Sequence, residues 1–218
     1  MSMIVMVAAN TRVPRVFDAH LEDFRETRRQ TLTIVQPLSQ KQFDSCPAPG
    51  TWSVGEVVEH LVLMEGVQRS NIEKLIRLKR EGRRPFLRVS LDELDVGFPF
   101  VPKFLMPWLE LPLSISTAFM MKPVLHFITR NRLIPATAPT KGRPRRGLPA
   151  DELRENLKSS LERTSTMFEA NADLDFRELS YQHAVLGISN ALDVLAILTN
   201  HEKGHQSQID AILRKMQA

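Results

Sequence analysis

Two histidines one helical turn apart are the residues of this sequence best placed to do chemistry. In the stretch from Ser189 to Leu213, SNALDVLAILTNHEKGHQSQIDAIL, positions Ala191, Val194, Leu198, His201, His205, Gln208 and Ile212 recur at alternating steps of three and four. That spacing is the seam a helix turns toward its partners. His201 and His205 therefore stand where Leu or Ile is expected, one above the other on a single face. Two imidazoles so placed can bind one metal ion, and the ion would recover the free energy lost in burying them. A third, His60, lies among Val57, Leu61, Met64 and Val67 on an earlier apolar face. Alone it would read as a core histidine with a local hydrogen bond. Beside the pair it supplies a third ligand.

The segment HEKGH also spells H-E-x-x-H, the metalloprotease motif in which the glutamate is the general base. A zincin takes its third ligand from farther along the chain, yet only 13 residues follow His205. Among them Asp210 is turned away from the seam. The protease match lacks its context, and the third ligand must come from upstream.

Three neutral imidazoles leave an ion its full double charge and at least one open position. That position can take a water or a thiol, and the charge lowers the pKa of either. Zinc is the first expectation, with nickel and iron as rivals, because imidazole suits all three. Catalytic partners are weakly marked. Glu202 adjoins a ligand, but at i+1 its side chain diverges from the face of His201. Glu56, one turn before His60, points more nearly toward the site but already has a capping role. Both read first as surface or capping residues. Gln208, one turn after His205, could orient a ligand or contact substrate. His20, His126 and His183 read as ordinary histidines. Only three ligands can be assembled, and Cys46 has no evident route to them, so the metal is expected to be catalytic rather than structural.

Helices must carry these residues. Phe17 to Val35 has an apolar stripe of Phe17, Leu21, Phe24, Leu32 and Val35, with Arg25, Arg28 and Arg29 largely on the polar face. Pro37 ends it, and Ser39 to Gly50 reads as a loop. Ser53 and Glu56 form a capping box that opens a second helix running to about Arg80. Asp151 or a neighbour opens a third, with Leu153, Leu157, Leu161, Thr164 and Phe168 in its stripe, and Asn171 to Gly187 reads as a connection. The helices, about 17–35, 53–80, 151–170 and 189–215, predict an all-α four-helix bundle in a single domain spanning 1–218. The long, partly helical insertion 82–149 holds ten of the chain's 14 prolines, six phenylalanines and Trp108. Its aromatics are too apolar for a solvated linker, so it is expected to pack on the bundle, as a plain crossover or a substrate-gating lid.

Charge narrows the partners. Lys and Arg number 29 against 25 Asp and Glu, a net charge of +4. The surplus gathers at Arg77 to Arg88 and Lys141 to Arg146 and reads as solvated surface. With no recognisable module or interleaved aromatics, nucleic-acid binding is not expected. The single cysteine allows no intramolecular disulfide and fits a reducing compartment. The apolar start MSMIVMVAAN lacks a basic n-region, and no uncharged run is long enough to span a bilayer. A soluble, cytoplasmic protein is the expectation.

Two pieces of the sequence, TWSVGEVVEHLVLMEG and YQHAVLGISNALDVLAILTNHEKGHQSQIDAIL, resemble the DinB-like superfamily. In the first a Trp-Ser opens the helix that carries His60. In the second a loop glycine precedes a helix with H-x-x-x-H followed by Gln and Ile. The resemblance covers roughly residues 15–80 and 150–217, and the Pro-rich middle departs from it. It implies an up-down-down-up bundle with a divalent metal held, by position, on His60, His201 and His205. It also implies activity similar to thiol-dependent S-transferases and isomerases, with a low-molecular-weight thiol as cosubstrate. The functional expectation is a metal-dependent transferase or hydrolase acting on a small electrophilic substrate. The alternative is a non-catalytic metal-binding or stress-associated binding module on the same bundle. The partners expected are a small-molecule substrate, with a homodimer left open, and neither nucleic acid nor membrane.

Overall fold

The computed structural model describes residues 15–89, 140–183 and 187–217. In chain order these form α1 (Asp18–Val35), α2 (Gln40–Asp44), α3 (Val54–Arg80), β1 (Phe86–Val89), a 3-10 turn (Thr140–Gly142), α4 (Ala150–Ala170), β2 (Ser180–His183), β3 (Gly187–Asn190) and α5 (Ala191–Gln217). The described residues are mostly helical. α1 packs on α5 and α3 on α4, and further contacts join α3 to α5 and α1 to α4.

Local chemistry sets where the helices begin and end. At α3 the Ser53 hydroxyl accepts from the Glu56 N–H while the Glu56 carboxylate accepts from the Ser53 N–H, satisfying two donors the helix leaves open. Gly55 in that first turn lets α3 pack closely: a Cβ there would meet Leu153 Cδ1 at 3.3 Å and the Phe43 carbonyl at 3.4 Å, so a larger residue would need its neighbours to give way. α3 ends at Gly82, whose φ of 70° only glycine adopts freely, and the Arg83 N–H closes back on the Leu78 carbonyl. At α5 the Asn190 side chain accepts from the N–H groups of Leu192 and Asp193, and Asp193 accepts from the Asn190 N–H. That reciprocal cap starts the helix at Ala191, two residues later than the sequence suggests.

The core is in two parts. One holds Phe17, Leu21, Phe24, Ile72, Leu75, Phe168, Tyr181, Leu195 and Leu198. The other holds Val35, Phe43, Val54, Val57, Leu61, Leu153, Leu157, Ile209 and Ile212. Between them every long helix contributes polar residues: Arg28 and Thr31 from α1, Glu65 from α3, Thr164 from α4 and Glu202 from α5, all buried. α1 and α5 thus run from the first core to the second, and α3 and α4 from the second to the first. Two consecutive long helices running the same way need a crossover, which the stretch between them supplies.

Several expectations require correction. Asn171 to Gly187 is not a bare connection. It contributes to a three-stranded sheet in which β1 pairs parallel with β2, and β2 antiparallel with β3. Ser39 to Gly50 includes the short helix α2, opened by a capping box of Ser39 and Gln42. Arg28 does not belong to a polar face: it is 1% exposed. The apolar start 1–10, His126, the side chain of His183 and the stretch carrying Trp108 and five of the insertion's phenylalanines lie outside the described residues. The expected packing of the insertion does too, except at its two ends. Among the described residues no helix is long and apolar enough to cross a membrane.

Candidate metal centre

α3 presents His60 in its second turn, and α5 presents His201 and His205 on successive turns of the face turned to α3. The ring nitrogens converge. His60 Nε2 lies 3.3 Å from His201 Nε2, and His205 Nε2 lies 3.1 Å from the same atom. One ligand atom from each of the three falls within 4.8 Å of the others, the grouping a metal ion requires. Imidazole nitrogens on a tetrahedral zinc, each ~2.0–2.1 Å from the ion, stand about 3.3 Å apart, so the spacing fits.

The other ring nitrogens fix which atoms are available. His60 Nδ1 lies 2.6 Å from the Gly142 carbonyl oxygen. A carbonyl only accepts, so Nδ1 carries the proton and Nε2 presents its lone pair inward. His205 Nδ1 lies 2.8 Å from Gln208 Oε1, which assigns the same tautomer to His205. A metal-ligating histidine usually has its outer N–H held this way, and the hold fixes ring orientation and raises basicity. Trp52, just ahead of α3, covers the pair from one side. Its ring stacks within 16° of the His205 plane at 6.4 Å and tilts over His60 at 4.8 Å.

The remaining candidates fall in different places. Gln208 touches the site through His205. Glu56 stays in the capping box and accepts from Arg146 Nε at 3.0 Å. Glu202 is not at the surface. It is 1% exposed and faces α1, where Arg28 Nε and Nη2 donate to its two oxygens at 2.8 and 2.9 Å. The Thr31 hydroxyl donates to it as well, at 2.6 Å. Arg28 also donates to Glu65 at 2.9 Å and to the Leu157 carbonyl at 2.9 Å, and the Thr164 hydroxyl closes the group onto Glu65. Burial works against the Arg28 charge, but the facing carboxylates of Glu202 and Glu65 outweigh it and hold its pKa above the ordinary arginine value.

The periodicity of α1 carried a signal for Arg28. Steps of four and three from Phe17 through Leu21, Phe24, Arg28, Thr31 and Val35 place it on the seam. Arg145 and Arg146, in a run expected to be mere solvated surface, each reach a buried carboxylate on α3: Arg145 Nε donates to Glu59 at 2.7 Å, and Arg146 to Glu56. Nothing in their local sequence names those partners.

A family model described as the DinB superfamily matches residues 23–209. The chain belongs to the DinB superfamily. The match runs from within α1 to within α5 and takes in all three histidines. Comparison with curated proteins and with solved structures gives no match. What this DinB-superfamily chain does must therefore be argued from its own site.

Proposed function

We propose that the protein is a divalent-metal-dependent enzyme in which His60, His201 and His205 hold the ion, and a small electrophilic substrate undergoes thiol transfer or hydrolysis beside it. The observation that carries this reading is the donor set. Three imidazoles converge, and the outer nitrogens of two are engaged so that their inner lone pairs face one point. Among the described residues the ligand group comprises these three histidines. A structural zinc site is normally closed by four protein ligands, whereas three leave a position for a reactant. When bound, a divalent ion there would supply a Lewis acid and lower the pKa of a thiol or water that it takes up. Zinc is the first choice of ion, and nickel or iron also suit imidazole.

The chain's own residues do the rest. The Gly142 carbonyl and Gln208 orient His60 and His205 and keep their protons on Nδ1. Trp52 walls off one side of the two rings and limits access of water there. Glu202 does not serve as general base despite the H-E-x-x-H spelling, because both its oxygens are engaged by Arg28 and Thr31 on another face of α5.

The test is elemental analysis of protein purified without a histidine tag, followed by cobalt substitution. One ion per chain is expected, lost in His201→Ala and His205→Ala. A low-molecular-weight thiol should change the cobalt spectrum by entering the open position. Full occupancy in the double variant would place the metal elsewhere and sink the reading. A cobalt spectrum indifferent to added thiol and imidazole would leave a non-catalytic binding module instead.

A further inference from the structure

The stretch that returns from the crossover to α4 touches the metal centre, and it does so through contacts of a regular kind. On α3, Glu56, Glu59 and His60 share one face at spacings of three and four. Each meets one residue of the returning segment, in reverse order along the chain. Glu56 takes Arg146 Nε at 3.0 Å. Glu59 takes both the backbone N–H of Arg145 and its Nε. His60 Nδ1 donates to the Gly142 carbonyl at 2.6 Å. The two carboxylates are about 5% exposed while the two arginine side chains are 70% and 65% exposed. The arginines therefore reach inward from the surface to neutralise acids that would be costly to bury unpaired. Gly147, at φ 70°, then turns the chain toward α4.

We propose that residues 140–146 form a strap that positions His60, with Arg145 and Arg146 as the positioning residues that fasten it. The inference rests on the reading of the three histidines as a metal centre. The strap holds the Gly142 carbonyl against Nδ1, and that hydrogen bond sets the ring plane and tautomer with which His60 offers Nε2. Such outer hydrogen bonds typically carry about 10–100-fold in metal affinity. Linkage makes the effect mutual. If a docked strap favours the ion, the ion favours a docked strap by the same factor.

Charge alone predicts the opposite sign, which makes the inference testable. Removing a cationic side chain beside a site for a divalent cation should tighten binding, since like charges repel. Loosening a strap that orients a ligand should weaken it. In the full chain, Arg145→Ala/Arg146→Ala should bind zinc roughly tenfold or more weakly in competition with a chelating dye. Exposed Arg143→Ala, which removes the same kind of charge from the same segment, should show no loss of affinity. In the unaltered protein, zinc should slow tryptic cleavage after Arg145 and Arg146, followed by mass spectrometry of the fragments. Should the double variant fail to fold, Arg145→Ala alone, which leaves Arg146 on Glu56, gives the same sign.

Equal or tighter zinc binding in these variants, or cleavage indifferent to zinc, overturns the strap. If the unaltered protein binds zinc through its histidines while the arginine variants match it, the strap fails and the metal centre stands. If the unaltered protein binds no ion, both readings fall together.

Discussion

Arg28 grips Glu202 with two parallel hydrogen bonds, from Nε at 2.8 Å and from Nη2 at 2.9 Å, in the middle of the helical core. Glu202 follows His201 directly, so the geometry of one turn of α5 is tied to α1. The same guanidinium reaches Glu65 on α3 and the Leu157 carbonyl on α4. One side chain thus joins the four long helices at the level where the apolar core is interrupted. The fork of the guanidinium suits this: it offers several donors in one plane, which an ammonium cannot.

Removing Arg28 should be costly. Arg28→Met would leave Glu202 buried without its cation and Glu65 with only the longer 3.9 Å pair to Arg69, and an uncompensated buried charge typically costs about 3–5 kcal/mol. Chemical denaturation of the variant against the parent measures it directly. A loss below about 1 kcal/mol, the scale of an exposed pair, would mean that the network is not a determinant of stability.

Gln208→Ala should separate metal affinity from stability. The side chain is half-buried near the C-terminal part of α5, and its described contact is the acceptor it gives His205 Nδ1. Losing that acceptor should weaken metal binding by about tenfold and leave the melting temperature of the metal-free protein nearly unchanged. Unaltered metal affinity would show that the ring needs no such hold.

Stripping the ion should not unfold the chain. Both apolar clusters are complete without it, with Leu21, Phe24, Leu75 and Phe168 in one and Val35, Phe43, Val57 and Leu157 in the other. An ion at one hundred times its dissociation constant would add about 2.7 kcal/mol through mass action. Chelation should therefore lower the melting temperature while the helical circular dichroism at room temperature persists. Collapse of the helical signal on chelation would make the metal a folding element.

Tyr181 gives a pH-dependent prediction that is easy to read because the chain has one tyrosine. It lies in β2, fully enclosed, with its hydroxyl donating to Gln68 on α3 at 2.9 Å. Burial, with a lesser contribution from the charge of Asp193, raises its pKa above the ordinary 10.0. An acid whose folded pKa is raised contributes stability that is intact below the unfolded pKa and is lost as pH climbs above it. Stability should therefore fall above about pH 10, and phenolate absorbance should appear together with loss of helix. Tyr181→Phe should flatten that alkaline limb. Phenolate appearing at the ordinary pKa in a fully helical protein would contradict the burial argument.

The four long helices and the histidines were legible because their signals are local and repeated. Ser53 and Glu56 mark a helix start within four residues, and the seam through His201 and His205 extends over several turns. The sheet left no comparable trace. β2 and β3 are each four residues long, too short for their alternation to stand out, and β1 pairs with β2 from nearly a hundred residues earlier, so no window of sequence contains that pair. The short helix α2 had a readable capping box in Ser39 and Gln42, overlooked because Pro47, Pro49 and Gly50 dominate the stretch. Arg28 sits on a seam that the apolar pattern of α1 already defined, Glu65 stands one turn beyond Leu61 on α3, and Glu202 lies off the seam through His201 and His205, facing α1. Reading charge as exposure misplaced Arg28 and Glu202, whose burial is explained by their mutual pairing across distant helices. The docking of Arg145 and Arg146 was beyond reach, because their acids belong to a helix met some ninety residues earlier.

The separation of His60 from His201 by 141 positions bears on how the protein is made. Chains emerge from the ribosome N-terminus first and tend to fold as they appear. α1, α3 and α4 are all synthesised before a second imidazole exists to join His60. The sheet imposes the same order, since β1 must wait for β2, and β3 leads straight into α5. Contacts that close such long loops come late in folding. An ion bound at the proposed site would therefore enter a nearly finished domain rather than nucleate one, and a cell short of that metal would then accumulate a folded, empty protein instead of an aggregate.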